Sequence, residues 1–194
     1  LFPNLRQDFA RLRDINTDKS DFRIFFENFF FNAGFQAVLL FRIAHWFKTH
    51  KLLFGLWPLF GVAPFFGRLC TFLTGVEIDP AATIGPGLMI SHGQGIVIGK
   101  WARLGENATL MQQVTIGAKS IGSIEQMPEI GDDVFIGAGA RVLGGISVGD
   151  RVEIGANAVV TRDVKPGHMA KPANRNDVVA KDAGTNPGAS QAAR

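Results

Sequence analysis

The 194-residue chain has a single cysteine, Cys70, so no internal disulfide is available, and no Cys-x-x-Cys or His/Cys cluster offers metal-ligand spacing. A reducing cytoplasm is the expected compartment, and no metal is expected. Charge of one sign is also scarce: 20 Lys and Arg against 17 Asp and Glu leave +3. That falls far short of the dense basic stripe of a protein that wraps nucleic acid, so no nucleic-acid partner is expected. A long apolar run is missing as well. The uncharged stretch from Leu52 to Gly67 covers only 16 residues and is interrupted by Pro58, Pro64 and three glycines, too short and broken for a spanning helix. Leu1 to Lys19 contains no charged n-region followed by an apolar stretch, so export is not expected. Apolar residues, by contrast, make up 46% of the chain, enough to bury the core of one compact domain with an appendage.

Helical periodicity comes first. Apolar side chains at Phe22, Phe25, Phe26, Phe29, Ala33, Ala37, Leu40, Phe41 and Ala44 predict one amphipathic helical segment over Phe22 to Lys48, with Ser20 or Asp21 as N-cap. Leu5, Phe9 and Leu12 predict a short helix before it, and Phe65 to Leu73 a third after it. The pattern breaks at Gly75.

From Ile78 a six-residue period takes over, with an aliphatic residue at every sixth position and a small or apolar residue four places on. The aliphatic series runs Ile78, Ile84, Ile90; Ile98, Leu104, Leu110, Ile116; Ile130, Ile136, Val142, Val148, Ile154 and Val160. A period of six fits neither an α-helix nor a plain strand and requires a short strand plus a tight corner, repeated. Three hexads make one coil of a triangular prism with the aliphatic residues inside, and thirteen make a little over four coils. Gly85, Gly99, Gly105, Gly131, Gly137, Gly149 and Gly155 suit the corners. The fold class expected is mainly β: a hexapeptide-repeat parallel β-helix with an N-terminal α-helical cap. The expected divisions are cap 1–75, β-helix 76–164, and a C-terminal loop and tail 165–194, partly disordered.

The register slips twice, and a solenoid interrupts itself where it displays a loop. Ile90 to Ile98 is a spacing of eight, with Ser91, His92, Gly93, Gln94 and Gly95 at the kink. Ile116 to Ile130 is a spacing of fourteen, with a loop from Ala118 to Glu129.

The stretches Gly75-Val-Glu-Ile-Asp-Pro-Ala-Ala-Thr-Ile-Gly, Ser91-His-Gly-Gln-Gly-Ile-Val-Ile-Gly, Val114-Thr-Ile-Gly and Ile136-Gly-Ala-Gly-Ala-Arg-Val-Leu-Gly, with Ala44-His45-Trp46 upstream, resemble the serine O-acetyltransferase family over roughly residues 35–175. The resemblance implies a left-handed helix, homotrimers with active sites between neighbouring prisms, and acetyl-CoA as donor. It also implies a catalytic base at His92 and an orienting carboxylate at Glu77. The family's acceptor-binding Asp and second His fall here on Ser91 and Met127, and Asp14 lies in an Arg-Asp pair resembling a further acceptor contact. Its cofactor positions fall on Gly117 and Ala118, on Ala138 and Ala156 one coil apart, and on Lys171 in Ala170-Lys-Pro-Ala.

Imidazole, with a pKa near ~6.5, is the usual base for stripping an alcohol of its proton, and amides near Gly93 and Gly95 are the expected oxyanion donors. With Ser91 and Met127 in place of the family's serine-binding pair, the resemblance narrows to the colanic-acid type of surface-polysaccharide acetyltransferase. The leading acceptor is then a sugar hydroxyl, and the alternative is serine O-acetylation feeding cysteine synthesis. A non-catalytic scaffold is a different class, and a γ-carbonic-anhydrase-like metal enzyme needs three histidines where the prism has only His92. The Phe-rich cap, with Trp46 and Trp57 near Lys48 and Lys51, adds an expected peripheral contact at the inner face of the membrane; against it stands the reading that the Phe stripe packs the cap onto a trimer.

Overall fold

The computed structural model describes residues 2–50 and 62–172. Fourteen short strands follow four helices: β1 (Val76–Ile78), β2 (Thr83–Ile84), β3 (Met89–Ile90), β4 (Ile96–Ile98), β5 (Arg103–Leu104), β6 (Thr109–Leu110), β7 (Thr115–Gly117), β8 (Glu129–Ile130), β9 (Phe135–Ile136), β10 (Arg141–Leu143), β11 (Ser147–Val148), β12 (Glu153–Ile154), β13 (Val159–Val160) and β14 (Met169–Ala170). They form three parallel faces: β1-β4-β7-β10-β13, β2-β5-β8-β11 and β3-β6-β9-β12-β14. This is a left-handed parallel β-helix of about five turns. All thirteen aliphatic hexad positions lie in strands and are buried, and the residues four places on, such as Ala82, Leu88, Ala102, Val114 and Val152, are buried beside them.

The prism is taller than thirteen hexads imply. Val164 bridges Val148 and β14 pairs with β12, carrying the coil to Ala170. Here Glu153 pairs with Met169, sixteen residues on, whereas Phe135 pairs with Glu153, eighteen on. The shortened coil carries Lys165, Pro166, Gly167 and His168 where a hexad aliphatic would stand, which is why the repeat pattern did not reveal it. The tail expected to be disordered lies, from residue 173, outside the described residues.

The corner glycines serve a purpose other than the one expected. Gly85, Gly105, Gly131, Gly137 and Gly149 have no left-handed backbone; that conformation falls on Gly87, Gly95, Gly139 and Gly167 and on Asn107, Gln113, Asp133, Arg151 and Asn157. The first set is required by stacking: a Cβ on Gly85 would sit 2.6 Å from the Gly105 carbonyl, and one on Gly105 2.7 Å from the Gly131 carbonyl carbon. Coils about 4.8 Å apart leave no room there for a side chain.

The cap comprises α1 (Phe2–Ile15), α2 (Asp21–Phe31), α3 (Ala33–Thr49) and α4 (Val62–Thr74). The single segment expected over Phe22 to Lys48 is two helices bent by 88°. Asn32 leaves helical dihedrals (φ −111°, ψ 99°), and its Oδ1 accepts the Phe35 N–H at 3.1 Å, starting α3 afresh. The bend seats α3 on the prism so closely that a Cβ on Gly34 would lie 2.0 Å from the Ile90 carbonyl oxygen.

Polar contacts complete the seat. Buried Arg42 donates to both oxygens of buried Asp8, at 2.9 and 3.0 Å, and to the carbonyls of Ile84 and Gly85; Asp8 in turn accepts the Leu88 N–H. Arg11 adds hydrogen bonds to the Gly87 carbonyl and the Thr109 hydroxyl, and His45 Nδ1–H donates to the Pro80 carbonyl at 2.9 Å. Cys70 is buried on α4, and that burial pushes its thiol pKa up, as suits a packing residue.

The phenylalanines of α2 are not the buried stripe that periodicity predicts. Ile24 is the buried residue of that helix, while Phe22, Phe26, Phe30 and Phe31 are exposed in this chain. Among the described residues no single helix is long and apolar enough to cross a membrane. Lys51 and Trp57, half of the basis for an expected membrane contact, lie outside the described residues.

Candidate active site

One edge of the prism, where the third face turns into the first, gathers Ser91, His92, Ala138, Ala156 and Lys171 of the candidate site residues. The chain crosses it at Ser91–Gly95, Gln112–Gln113, Ala138–Gly139, Ala156–Asn157 and Lys171. The crossings are tied in sequence: Gln113 N–H donates to Gln94 O at 2.8 Å, Gly139 N–H to Gln112 O at 2.9 Å, and Asn157 N–H to Ala138 O at 2.8 Å. His92, Ala138, Ala156 and Lys171 therefore climb one edge, with roughly 19 Å between the levels of the first and the last at four rung spacings.

The kink at the foot of this edge holds two residues more than a regular corner. Val76 pairs with Ile96, twenty residues on, whereas Val97 pairs with Thr115, eighteen on. The surplus bulges outward and is pinned by the cap, because a Cβ on Gly93 would meet Ala33 C and Gly34 N at 3.0 Å. Ser91 and His92 are exposed on the bulge.

Two clefts meet at His92. One, of about 620 Å³, runs along the edge past Gln94 and Gln112; the other, of about 430 Å³, opens toward the cap between Met89, Lys19, Glu27 and Asn28. Phe31, Asn32, Ser91 and His92 line both. A base between two clefts can face a donor in one and an acceptor in the other.

Among the described residues nothing hydrogen-bonds to either nitrogen of the His92 ring. Glu77 is exposed in the middle of β1, in register with Val97, and is not joined to His92. Of the kink amides, Gly95 N–H is committed to Gly75 O and Gln94 N–H to His92 O, so Gly95 is not the oxyanion donor that was expected. Among the described residues the His92 and Gly93 N–H groups are the amides of residues 91–95 without an acceptor.

The remaining expected residues lie elsewhere in the single chain. Gly117 and Ala118 end β7 on the opposite edge of the first face. On that edge Met127 lies across Gly99, its sulfur 3.0 Å from where a Cβ would stand, and lines a separate cleft with Trp101 and Arg103. Asp14 is exposed on α1 and lines neither cleft at His92.

Among the lining residues that were not anticipated are Lys19, Glu27, Phe31 and Gln112. Among the described residues the buried Gln112 Oε1, one coil above His92, has no partner. Its only sequence signal is its place at the next crossing of the same edge. Lys19 Nζ donates to Glu27 Oε2 at 2.8 Å and Arg23 Nε to Glu27 Oε1 at 2.7 Å, and these bonds, that of Lys19 first, hold the Glu27 carboxyl below its ordinary pKa.

Residues 127–162 match the model of the bacterial transferase hexapeptide (six repeats) family. The chain is 43% identical over 137 residues to the serine acetyltransferase of Helicobacter pylori, covering 71% of this chain and 76% of that relative. Among solved structures, a serine acetyltransferase in complex with CoA superposes with a TM-score of 0.75 at 27% identity over 89% of this chain and 67% of its own. The serine acetyltransferase of Neisseria gonorrhoeae in complex with serine does so with a TM-score of 0.70 at 32% identity over 86% of this chain and 64% of its own.

These likenesses overturn the expectation of a sugar acceptor in surface-polysaccharide synthesis, which rested on the short helical cap and on Ser91 and Met127. Two substitutions remove two particular contacts, while the cleft beside His92 keeps charged and amide groups of its own.

Proposed function

Since the chain belongs to the serine acetyltransferase family, we propose that it transfers the acetyl group of acetyl-CoA to the hydroxyl of L-serine. The observation that carries this reading is the family match together with an exposed imidazole at the meeting point of two clefts. In this scheme His92 takes the proton of the serine hydroxyl as the oxygen attacks the thioester carbonyl. The tetrahedral oxyanion accepts the Gly93 N–H. Collapse breaks the carbon–sulfur bond, and the departing thiolate receives the proton held on His92, giving O-acetylserine and free CoA.

Acetyl-CoA would lie along the edge that climbs from His92 past Ala138 and Ala156, whose small side chains leave a groove open, to Lys171, whose ammonium meets phosphate. Glu77 would accept the second ring N–H once His92 is turned toward β1. Gly117, Ala118 and Met127 occupy the far edge of the first face, so a homotrimer is proposed in which a neighbouring copy lays that edge beside His92. A cytoplasmic location, where acetyl-CoA is supplied, is part of the same proposal.

Release of CoA thiol on mixing the protein with acetyl-CoA and L-serine, with mass detection of O-acetylserine, tests the reaction. Binding of acetyl-CoA is read separately: at about 100 times its Kd it should stabilise the fold by about 2.7 kcal/mol. Thermal stabilisation without thiol release would leave a CoA-binding protein that does not use serine.

A further inference from the structure

Ser91 and Met127 leave unanswered what holds the two charges of an amino-acid acceptor. The cap-side cleft supplies an answer. It is the smaller of the two spaces at His92, and its cap-side wall is formed by the end of α1, the connector from α1 to α2 and one face of α2. Lys19 sits on that connector and Glu27 on α2, joined at 2.8 Å, with side chains 27% and 35% exposed, so both are reachable from the cleft but partly shielded from water. Arg23, on the outer side, also bonds Glu27. Two cations share one carboxylate, and the group carries a net positive charge beside a second anchor for a negative one.

We propose that Lys19 and Glu27 are specificity-determining residues that bind the acceptor as a zwitterion, Lys19 taking the α-carboxylate and Glu27 the α-ammonium. The assignment rests on the serine reading above and deepens it. An ion pair opened by an inserted zwitterion keeps every charge partnered: the Lys19–Glu27 contact is exchanged for Lys19–carboxylate and Glu27–ammonium contacts, and Arg23 continues to hold Glu27 in its ionised form. Asn28, whose amide N–H groups are engaged with the Ile24 carbonyl and whose Oδ1 accepts from Asn32, fixes the wall behind the pair. A sugar, having neither charge, gains nothing from this exchange, and an alcohol with one charge gains half. This places acceptor recognition on the cap rather than on the prism corner.

The experiment compares L-serine, L-serinamide, which lacks the carboxylate, and 3-hydroxypropanoate, which lacks the ammonium, in wild type, Lys19→Ala, Lys19→Arg and Glu27→Gln. The Lys19→Ala variant should lower the ratio of kcat/KM for L-serine over L-serinamide at least about tenfold, through KM rather than kcat, with Lys19→Arg restoring most of it. For Glu27→Gln the ratio of L-serine over 3-hydroxypropanoate should fall in the same way. Because each ratio is measured within one protein sample, partial misfolding cancels. Wild type active on L-serine with both ratios unmoved in the variants overturns the assignment while leaving the serine reading standing. Wild type that binds acetyl-CoA but releases no thiol with L-serine overturns the serine reading and the assignment with it.

Discussion

Along the prism each hexad repeats one instruction, an aliphatic side chain turned inward with a small or apolar residue four places on, whereas the cap repeats nothing and is seated by one apolar patch and a few buried polar contacts. The prism core is apolar on all three faces from Val76 to Val160. The cap meets it through an apolar patch of Ala37, Val38, Phe41 and Cys70, through the polar groups of Asp8, Arg11, Arg42 and His45, and through a close backbone approach at Gly34. A repeated core tolerates a local slip because the coils above and below still close. The slip at residues 91–95 shows what that tolerance allows: a bulge that the prism alone would leave loose is held by the first residues of α3. The candidate site lies on this seam, with its base on the prism and its charged wall on the cap.

The sharpest way to separate the two regions is to remove the one side chain assigned to chemistry. His92→Ala should lower kcat with L-serine by about 10² to 10⁴, the usual worth of a general base. Its thermal midpoint and its stabilisation by acetyl-CoA should stay near those of wild type, since the ring is exposed and bonds to nothing in the described chain. A drop of less than tenfold, or a collapse of the midpoint, would assign His92 to packing and move the chemistry elsewhere. Glu77 enters only if the ring turns, so a smaller loss is expected when it is removed.

Next in size is the clamp. Arg42→Ala leaves the buried Asp8 carboxylate without its cation and the Ile84 and Gly85 carbonyls without donors. The expected cost is about 3 to 5 kcal/mol, read as a shift of the denaturant midpoint. If the two regions are as different as their construction implies, hydrogen exchange in α1 and α3 will speed up far more than in β7 and β10, at the middle of the prism. Equal acceleration everywhere would mean that cap and prism unfold as one unit.

The same contrast governs what could be read from the sequence. Hexads announce themselves because every coil needs the same residue at the same place, and the thirteen positions from Ile78 to Val160 all fell in strands. The pattern failed where the requirement changes: at Val164 to Ala170, where a shortened coil closes with Lys165 and Pro166, and at corners such as Gly85, where glycine answers to the coil above rather than to a turn. In the cap, periodicity correctly gave helix but not the break, because the local N-cap signal of Asn32 lies inside a continuous apolar period and the Gly34 contact with Ile90 is encoded by no local pattern. His92 was legible as a residue at a register slip. Its neighbours Lys19 and Glu27 were not, being more than sixty residues away in sequence and brought to it only by the fold.

The smallest of these effects tests whether the bend at Asn32 belongs to the cap or is imposed by the prism. Asn32→Ala removes the acceptor of the Phe35 N–H and the donor to Asn28 Oδ1, and puts the strongest helix former where the backbone leaves the helix. If the cap alone set the bend, α2 and α3 would merge, helicity by circular dichroism would rise, and the cleft beside His92 would lose its wall. Yet the Gly34 contact with Ile90 fixes where α3 must begin, and one extra turn of helix cannot repay the loss of the α3 seat on the prism. Helicity should therefore hold, stability should fall by about 1 kcal/mol, and KM for L-serine should rise modestly because Asn32 borders both clefts. A rise in helicity with unchanged stability would show instead that the prism accepts a straightened cap, and that the seam is less demanding than the lack of room for a Cβ at Gly34 implies.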